Sequence, residues 1–392
     1  TLKGDAGGAG LFMASGNAGL ITVTTVTVTG GQWGVYIATM SCGSCAGNVS
    51  VSSLVLVGPL AAGATGVQFA GGTFISTLSY VAFNDSSIGA NVNASLLNAA
   101  SRITMRGDSG VKTGSAYEND PSGVVVWETE ATYPGCVATR NVHAGEGPYT
   151  TISAGLAALP ASLSGHSCVV IRDGASYNEQ VTVQNFTMNG SSISIFADPG
   201  SGVRPRVDPP AASTAAFRIL NASINITGLD VVVDQAITYG IYASSAYVNL
   251  TSVGVSTLGA SAITTAGVRI SSWSVISYST VSVNAHGIWL DGSTMTTVSY
   301  ITGIASAAGD YPLYLTTADS NTVSHSYFMN LAGYGAVLES DSNYNTISQS
   351  TMVGAGVGAS GLYITAADSN TVTGSYMQNL AGYGASLVVG TD

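Results

Sequence analysis

Two groups of side chains have the types and spacing to do acid–base chemistry: Asp230 with Asp234, and His286 with Asp291 and Asp310. Cleavage of a glycosidic bond needs only two carboxylates about 5–10 Å apart. Neighbouring turns of this chain would supply such pairs, with Asp234, Asp291 and Asp310 as the candidate catalytic residues. Isolated aspartates are also what tight turns use. Tyr239, Tyr242, Trp289, Tyr314 and Tyr363 recur at related positions and would make a platform for sugar rings. Glu339, Asp341, Asn343 and Asn345 alternate as calcium-ligating oxygens would, in a stretch where a turn also calls for polar residues. Arg204-Pro205-Arg206 beside Asp208 reads as a solvated turn, and the Arg106-Gly107-Asp108 tripeptide as a chance match at the start of a linker.

The cysteines are Cys42, Cys45, Cys136 and Cys168. They fall into two distant pairs with no histidine at ligand spacing, which favours disulfides over zinc. Oxidised pairs imply an extracytoplasmic compartment, extracellular or at the cell surface.

The chain that must position these groups is 392 residues long, and only 8% of them are charged. Its hydrophobic fraction, 46%, excludes a disordered chain. With 10 basic against 21 acidic residues it cannot neutralise a phosphate backbone, which excludes nucleic acid as a partner. No charge occurs between Asp5 and Asp85, yet Leu54 to Gly72 is broken by Pro59, Gln68 and glycines, so it is no membrane span. Without a leading Met or signal peptide, the chain reads as a processed product or a segment of something longer. Eight Asn-x-Ser/Thr sites, from Asn48 to Asn249, would accept glycans in a host able to add them.

Repetition is the strongest pattern. Ala318 to Leu338 and Ala367 to Leu387 are identical at 16 of 21 positions, at an offset of 49. Tyr344-Asn345-Thr346-Ile347-Ser348 repeats the core halfway, so the period is half that offset. Apolar anchors follow at Ile224, Val248, Val275, Val298, Val323, Ile347 and Val372, in steps of 24, 27, 23, 25, 24 and 25. A second series runs in step: Gly240-Ile-Tyr, Gly267-Val-Arg-Ile, Gly287-Ile-Trp-Leu, Pro312-Leu-Tyr-Leu, Gly335-Ala-Val-Leu, Gly361-Leu-Tyr-Ile and Gly384-Ala-Ser-Leu. Each unit holds short β-branched runs between Gly, Asn, Ser and Asp, with no helical period. The pattern predicts an all-β solenoid, a parallel β-helix with three short strands per coil of about 24 residues. Seven anchors make a column about 34 Å long.

Asn321, Asn345 and Asn370 occupy one station in successive coils and predict a structural ladder, because Asn tolerates left-handed turns and stacked amides hydrogen-bond to one another. Thr297-Val-Ser299, Thr322-Val-Ser324, Thr346-Ile-Ser348 and Thr371-Val-Thr373 would point paired hydroxyls outward, the arrangement an ice-binding solenoid face uses. Ser lacks the methyl group such a face needs, and bulky neighbours would break its flatness.

The stretch Asn141-Val-His-Ala-Gly-Glu-Gly-Pro-Tyr-Thr-Thr-Ile-Ser, followed by Cys168-Val-Val-Ile-Arg-Asp-Gly-Ala-Ser-Tyr-Asn-Glu, resembles the opening of pectin methylesterases and related right-handed β-helix proteins. The resemblance implies a right-handed solenoid of the pectin-lyase-like kind, capped by a short helix near 150–159. Gly174, Tyr177 and Glu179 match its Gly-x-Tyr-x-Glu strand with one extra residue. The domains expected are 1–106 as terminal coils of a preceding β-helix, 107–136 as a junction, and 137–392 as a second β-helix with its helix cap. A bridge between Cys136 and Cys168 would staple that junction to the first coil.

Of the esterase's catalytic patterns only Asp234-Gln235 has a faint counterpart. A polysaccharide lyase would need a basic residue and a calcium cluster. Here Lys3 and Lys112 are the only lysines, and the 123 residues after Arg269 hold seven acids and no Lys or Arg. The chain therefore reads as a non-catalytic, extracellular structural or adhesive segment with no required cofactor, calcium being the one candidate ion. Its expected partners are further copies or repeats of itself and surface glycans. Polysaccharide binding or cleavage is the alternative, and an ice-binding face the second.

Overall fold

The computed structural model describes residues 135–144, 149–199, 204–259, 262–271 and 273–388 throughout. Before residue 135 it describes the strands and short flanks, with side chains at 8–13, 33–38, 65–70, 92–97, 101, 103, 124–125 and 133. Cys42, Cys45, Asp108 and most of the expected junction lie outside the described residues. Chain contacts divide the protein into two units.

The first unit is built of parallel strand pairs. One sheet runs Ala9–Ser15, Trp33–Thr39, Thr65–Phe69, Ala90–Asn93, Glu118–Asn119, each strand beside its successor in that order. Val35, Val67 and Val92 stand in register and are fully buried, as are Ile37 and Phe69. The other sheet carries Leu2–Gly4, Val26–Gly30, Leu54–Val57, Thr73–Asn84, Arg102–Gly107 and Val125–Trp127 in sequence order.

The second unit is a solenoid with about 25 residues per turn and three parallel sheets. Its first sheet runs from Ser167–Ile171 to Thr371–Thr373, its second from Ser176–Tyr177 to Tyr376–Asn379, its third from Val181–Val183 to Tyr383–Val388. Each strand pairs only with its counterparts one coil before and after, so the backbone of every coil is satisfied by its neighbours. Inside the first sheet, Ile195, Ile226, Leu250, Ile276, Val298, Val323 and Ile347 form one buried column. Three expected anchors are displaced: Ile224 and Val248 lie two residues ahead of this column, whose members there are Ile226 and Leu250, and Val275 lies one ahead, paired outward with Asn249 and Thr297 while Ile276 points inward. In the second sheet Phe328, fully buried, fits because its neighbour is Gly303, where a Cβ would lie 2.7 Å from the ring.

The amide ladder forms, though not where left-handed backbone is needed. The positive φ falls one residue earlier, at Ser245, Trp273, Met295, Ser320, Tyr344 and Ser369, with a second column at Ser252, Tyr278, Tyr300, His325, Gln349 and Gly374. Asn321, Asn345 and Asn370 follow the first column. Asn321 Nδ2 donates to Asn345 Oδ1 at 3.0 Å, and Asn345 Nδ2 to Asn370 Oδ1 at 3.1 Å. Asn345 Oδ1 also accepts the Asn321 backbone N–H at 2.9 Å.

One helix, Ile152–Ala157, covers the start of the second unit, and it is shorter at both ends than the expected 150–159. Thr151 is extended and caps it, its hydroxyl accepting from the Ala154 N–H at 3.0 Å. The Glu179 carboxylate accepts two more N–H groups of the first turn, from Ile152 at 2.7 Å and Ser153 at 3.0 Å. Ile152, Leu156 and Leu159 are buried, as expected of a cap over an open solenoid end. Cys136 and Cys168 are joined by a disulfide that ties the entering chain to the first coil.

Candidate functional site

The third sheet presents one outward column in register: Arg218, Tyr242, Arg269, Trp289, Tyr314, Val337 and Tyr363. Outward direction follows from the two-residue period, since Ile241, Val268, Ile288 and Leu313 beside them are buried in the core. Strands about 4.8 Å apart bring these side chains into contact from coil to coil.

The rings form a continuous belt with neighbours from adjoining positions. Tyr239 stacks on Tyr242, centroids 4.9 Å apart, and Arg269 lies over Tyr239, Tyr242 and Trp289 at 5.6, 5.4 and 4.8 Å. Trp289 stacks on Tyr314 at 5.6 Å, and His286 sits 4.7 Å from Tyr314 and 5.2 Å from Tyr311. Tyr334 then links Tyr311, at 6.0 Å, to Tyr363, at 5.0 Å. Tyr242, Trp289, Tyr314 and Tyr363 are thus brought together as the sequence suggested. Arg269, Tyr311 and Tyr334 complete the belt and were not foreseen; His286, expected only as an acid–base group, joins them. Arg269 was visible in the repeat, since Gly267-Val-Arg-Ile puts it at the station of Trp289 and Tyr314.

Polar groups line the belt. Asp291 holds Arg269 through Nη2 and through Nε at 3.0 Å, while Nη1 reaches the Tyr239 hydroxyl at 3.1 Å. The Trp289 indole donates to Thr316 Oγ1 at 2.8 Å, and that hydroxyl donates to Asp291 at 3.3 Å. The Tyr314 hydroxyl donates to Glu339 at 2.5 Å, which together with burial raises its pKa. His286 Nδ1 accepts the Tyr311 backbone N–H at 3.0 Å and stands 3.5 Å from Asp310. Burial lowers the His286 pKa to about 4, and protonating Nδ1 would break that backbone hydrogen bond, so the imidazole is neutral despite the nearby carboxylate. Burial also raises the Asp310 pKa.

Of the three candidate catalytic aspartates, Asp291 and Asp310 therefore reach the belt. Asp234 sits exposed in the turn after Asp230–Val233 of an earlier coil, its backbone N–H against Asp208 at 3.4 Å. The cluster expected to be a solvated turn is ion-paired instead: Arg204 is held by Asp230 at 2.7 Å and Arg206, which opens the Arg206–Val207 strand, by Asp208 at 2.9 Å. The calcium candidates serve separate partners: Glu339 accepts from Tyr314, Asn343 Oδ1 from the Asp368 N–H, and Asp341 lies exposed at a left-handed turn position. Among the described residues, the only group of three His, Cys, Asp or Glu side chains close enough to share an ion is Cys136, His166 and Cys168, two of which form the disulfide.

On the first sheet, Thr227, Thr251, Ser277, Ser299, Ser324, Ser348 and Thr373 stand in one register column. It is not a flat face. Tyr278 and Tyr300, 64% and 47% exposed, stack at 4.8 Å at the turn beyond one edge, and Trp273 and Tyr344 project at the other.

No curated protein and no solved structure matches the chain. Residues 254–391 match the family described as "Right handed beta helix region", a span that takes in the belt from Arg269 to Tyr363. The matched coils are a right-handed β-helix region, carried in a β-solenoid of three parallel sheets.

Proposed function

We propose that this chain is a non-catalytic, extracellular adhesive segment that holds glycans along the third-sheet belt. The observation that carries the reading is the run of rings from Tyr239 to Tyr363, supplied by successive coils at related stations. Sugar rings combine apolar C–H patches with hydroxyls, and Tyr and Trp answer both with ring carbon and a polar tip. Half-buried rings locked by mutual stacking lose little freedom when a ligand arrives. The strand spacing, about 4.8 Å, is close to the length of one sugar unit in an extended chain, so successive units would meet successive coils. The Cys136–Cys168 disulfide supports an oxidising compartment.

The test is retention of the intact chain on a panel of immobilised polysaccharides, with Trp289→Ala and Tyr314→Ala as variants. Each is expected to weaken retention about tenfold or more, the range of a lost aromatic anchor. Unchanged retention by both variants would remove the belt from the reading. Turnover of a glycan that disappears in Asp291→Asn would replace adhesion with catalysis.

A further inference from the structure

Arg269 is the last cation of the chain, and its charge is already spent. Asp291 takes Nε and Nη2, Tyr239 takes Nη1, and three aromatic faces surround the guanidinium. Beyond it the belt carries Asp310 and Glu339, and no Lys or Arg follows in the sequence to pair with either. His286 Nδ1 stands 3.5 Å from the Asp310 carboxylate, and the imidazole is neutral because its Nδ1 is occupied by a backbone N–H and burial holds its pKa at about 4. An aromatic surface flanked by carboxylates without cationic partners repels an anionic polymer and favours a cationic one.

Resting on the glycan-binding reading above, we infer that the belt selects glycans whose sugar units bear free amines, polymers of 2-amino-2-deoxyhexose, and rejects polyuronates. Asp310 lies in the turn entering the Leu313–Thr316 strand, and Glu339 ends the strand of the next coil. A chain of amino sugars running along the rings would bring ammonium groups to both. A charge-assisted hydrogen bond from an ammonium to a partly desolvated carboxylate is the stronger kind. An N-acetylated unit offers no charge, and a uronate brings repulsion.

The experiment is titration of the intact chain, at mildly acidic pH and physiological salt, with short oligomers of equal length: glucosamine, N-acetylglucosamine and galacturonate. The glucosamine oligomer is expected to bind about tenfold more tightly than its N-acetylated form, with no binding of galacturonate. Glu339→Gln and Asp310→Asn are expected to erase most of that preference, each bringing glucosamine binding down to the N-acetylglucosamine level measured with the same variant. Asp368→Asn, which removes an exposed acid of the neighbouring turn, is expected to keep it and so separates the site from general attraction by an acidic protein. Galacturonate binding as tight as glucosamine overturns the inference, as does a preference that survives both belt variants. Failure of all three oligomers to bind, or binding unaffected by Trp289→Ala, overturns the glycan reading itself.

Discussion

The early and late coils of the second unit solve the same corner in opposite ways. At the entry to the first sheet the early coils place Ile193, Ile224 and Val248, an aliphatic column in register and buried. One coil later the station passes to Ser274, then Thr296, Asn321, Asn345 and Asn370. Each polar side chain accepts the backbone N–H of the coil before: Ser274 from Val248 at 3.2 Å, Thr296 from Ser274 at 3.3 Å, Asn321 from Thr296 at 2.8 Å. The aliphatic corner is held by burial, which tolerates small errors of position. The amide corner is held by directional bonds in a buried place, where each unmet group is costly. The late coils also carry the aromatic belt, so the more sharply specified part of the solenoid underlies the candidate site.

Swapping the two solutions should give the largest effect. Asn345→Val copies the early corner into the late coils, and orphans the Asn321 N–H and the Ala318 carbonyl, while Asn370 Oδ1 keeps only the backbone N–H of residue 345. Unfolding measured by denaturant should show a loss of about 3–5 kcal/mol; a neutral result would mean that the ladder adds nothing that aliphatic packing cannot. The early coils should depend instead on their staple. Replacing Cys136 and Cys168 together by Ser should cost about 2–4 kcal/mol, with hydrogen exchange rising first in Ser167–Ile171 and last in the late coils. Uniform loss of protection would contradict that division.

The belt adds a pH dependence through His286. Unfolded, His286 takes up its proton near the ordinary 6.5, whereas folded it does so only at about 4. Between those values the unfolded chain holds more protons, so the stability contributed by neutral His286 is present above about pH 6.5 and lost as pH falls towards 4. Thermal melts should show a drop of about 1–3 kcal/mol over that range, absent in His286→Phe; an unchanged drop would assign it to another group. The smallest effect concerns the turns. Tyr344 is 67% exposed with φ 57°, and Tyr344→Asn should stabilise the late coils by about 0.5–1 kcal/mol, since Asn accepts left-handed backbone more readily. A loss of stability would show that the exposed ring contributes more than its backbone costs.

Much of this architecture was legible in the sequence because a solenoid writes its register as repetition. Asn-Thr-Val/Ile marked the first sheet, and Gly-Ile-Trp or Gly-Leu-Tyr the third. The reading slipped from Ile224 to Val275 because the early coils carry a second buried aliphatic, Ile224 or Val248, two residues before the true anchor, and because the inward positions Leu250, Ile276 and Val298 are spaced unevenly, so that the outward Val275 looks like an anchor. It also assigned the left-handed turn to Asn, the residue type that best tolerates it, whereas Ser320, Tyr344 and Ser369 take that role and leave the amides free to bond inside. In the belt, four rings shared a pattern and were found. His286, singled out for acid–base chemistry, opens its strand level with Ala266, whereas Tyr311 and Tyr334 lie just before theirs and only the folding of the turns brings them in. Glu179 was legible as a motif letter but not as the acceptor for a helix 26 and 27 residues before it.

The helix over the first coil has a mechanical consequence. Since the strands of a coil bond only to the coils beside them, a coil has nothing to register against until one of its neighbours exists. The coil closed by Ile152–Ala157 and its disulfide is already held in place, so order can spread from it like a zip fastener. Under tension the sequence reverses: force applied near Val388 would strip one turn after another in equal steps, and a single-molecule pull would register a sawtooth rather than one rupture.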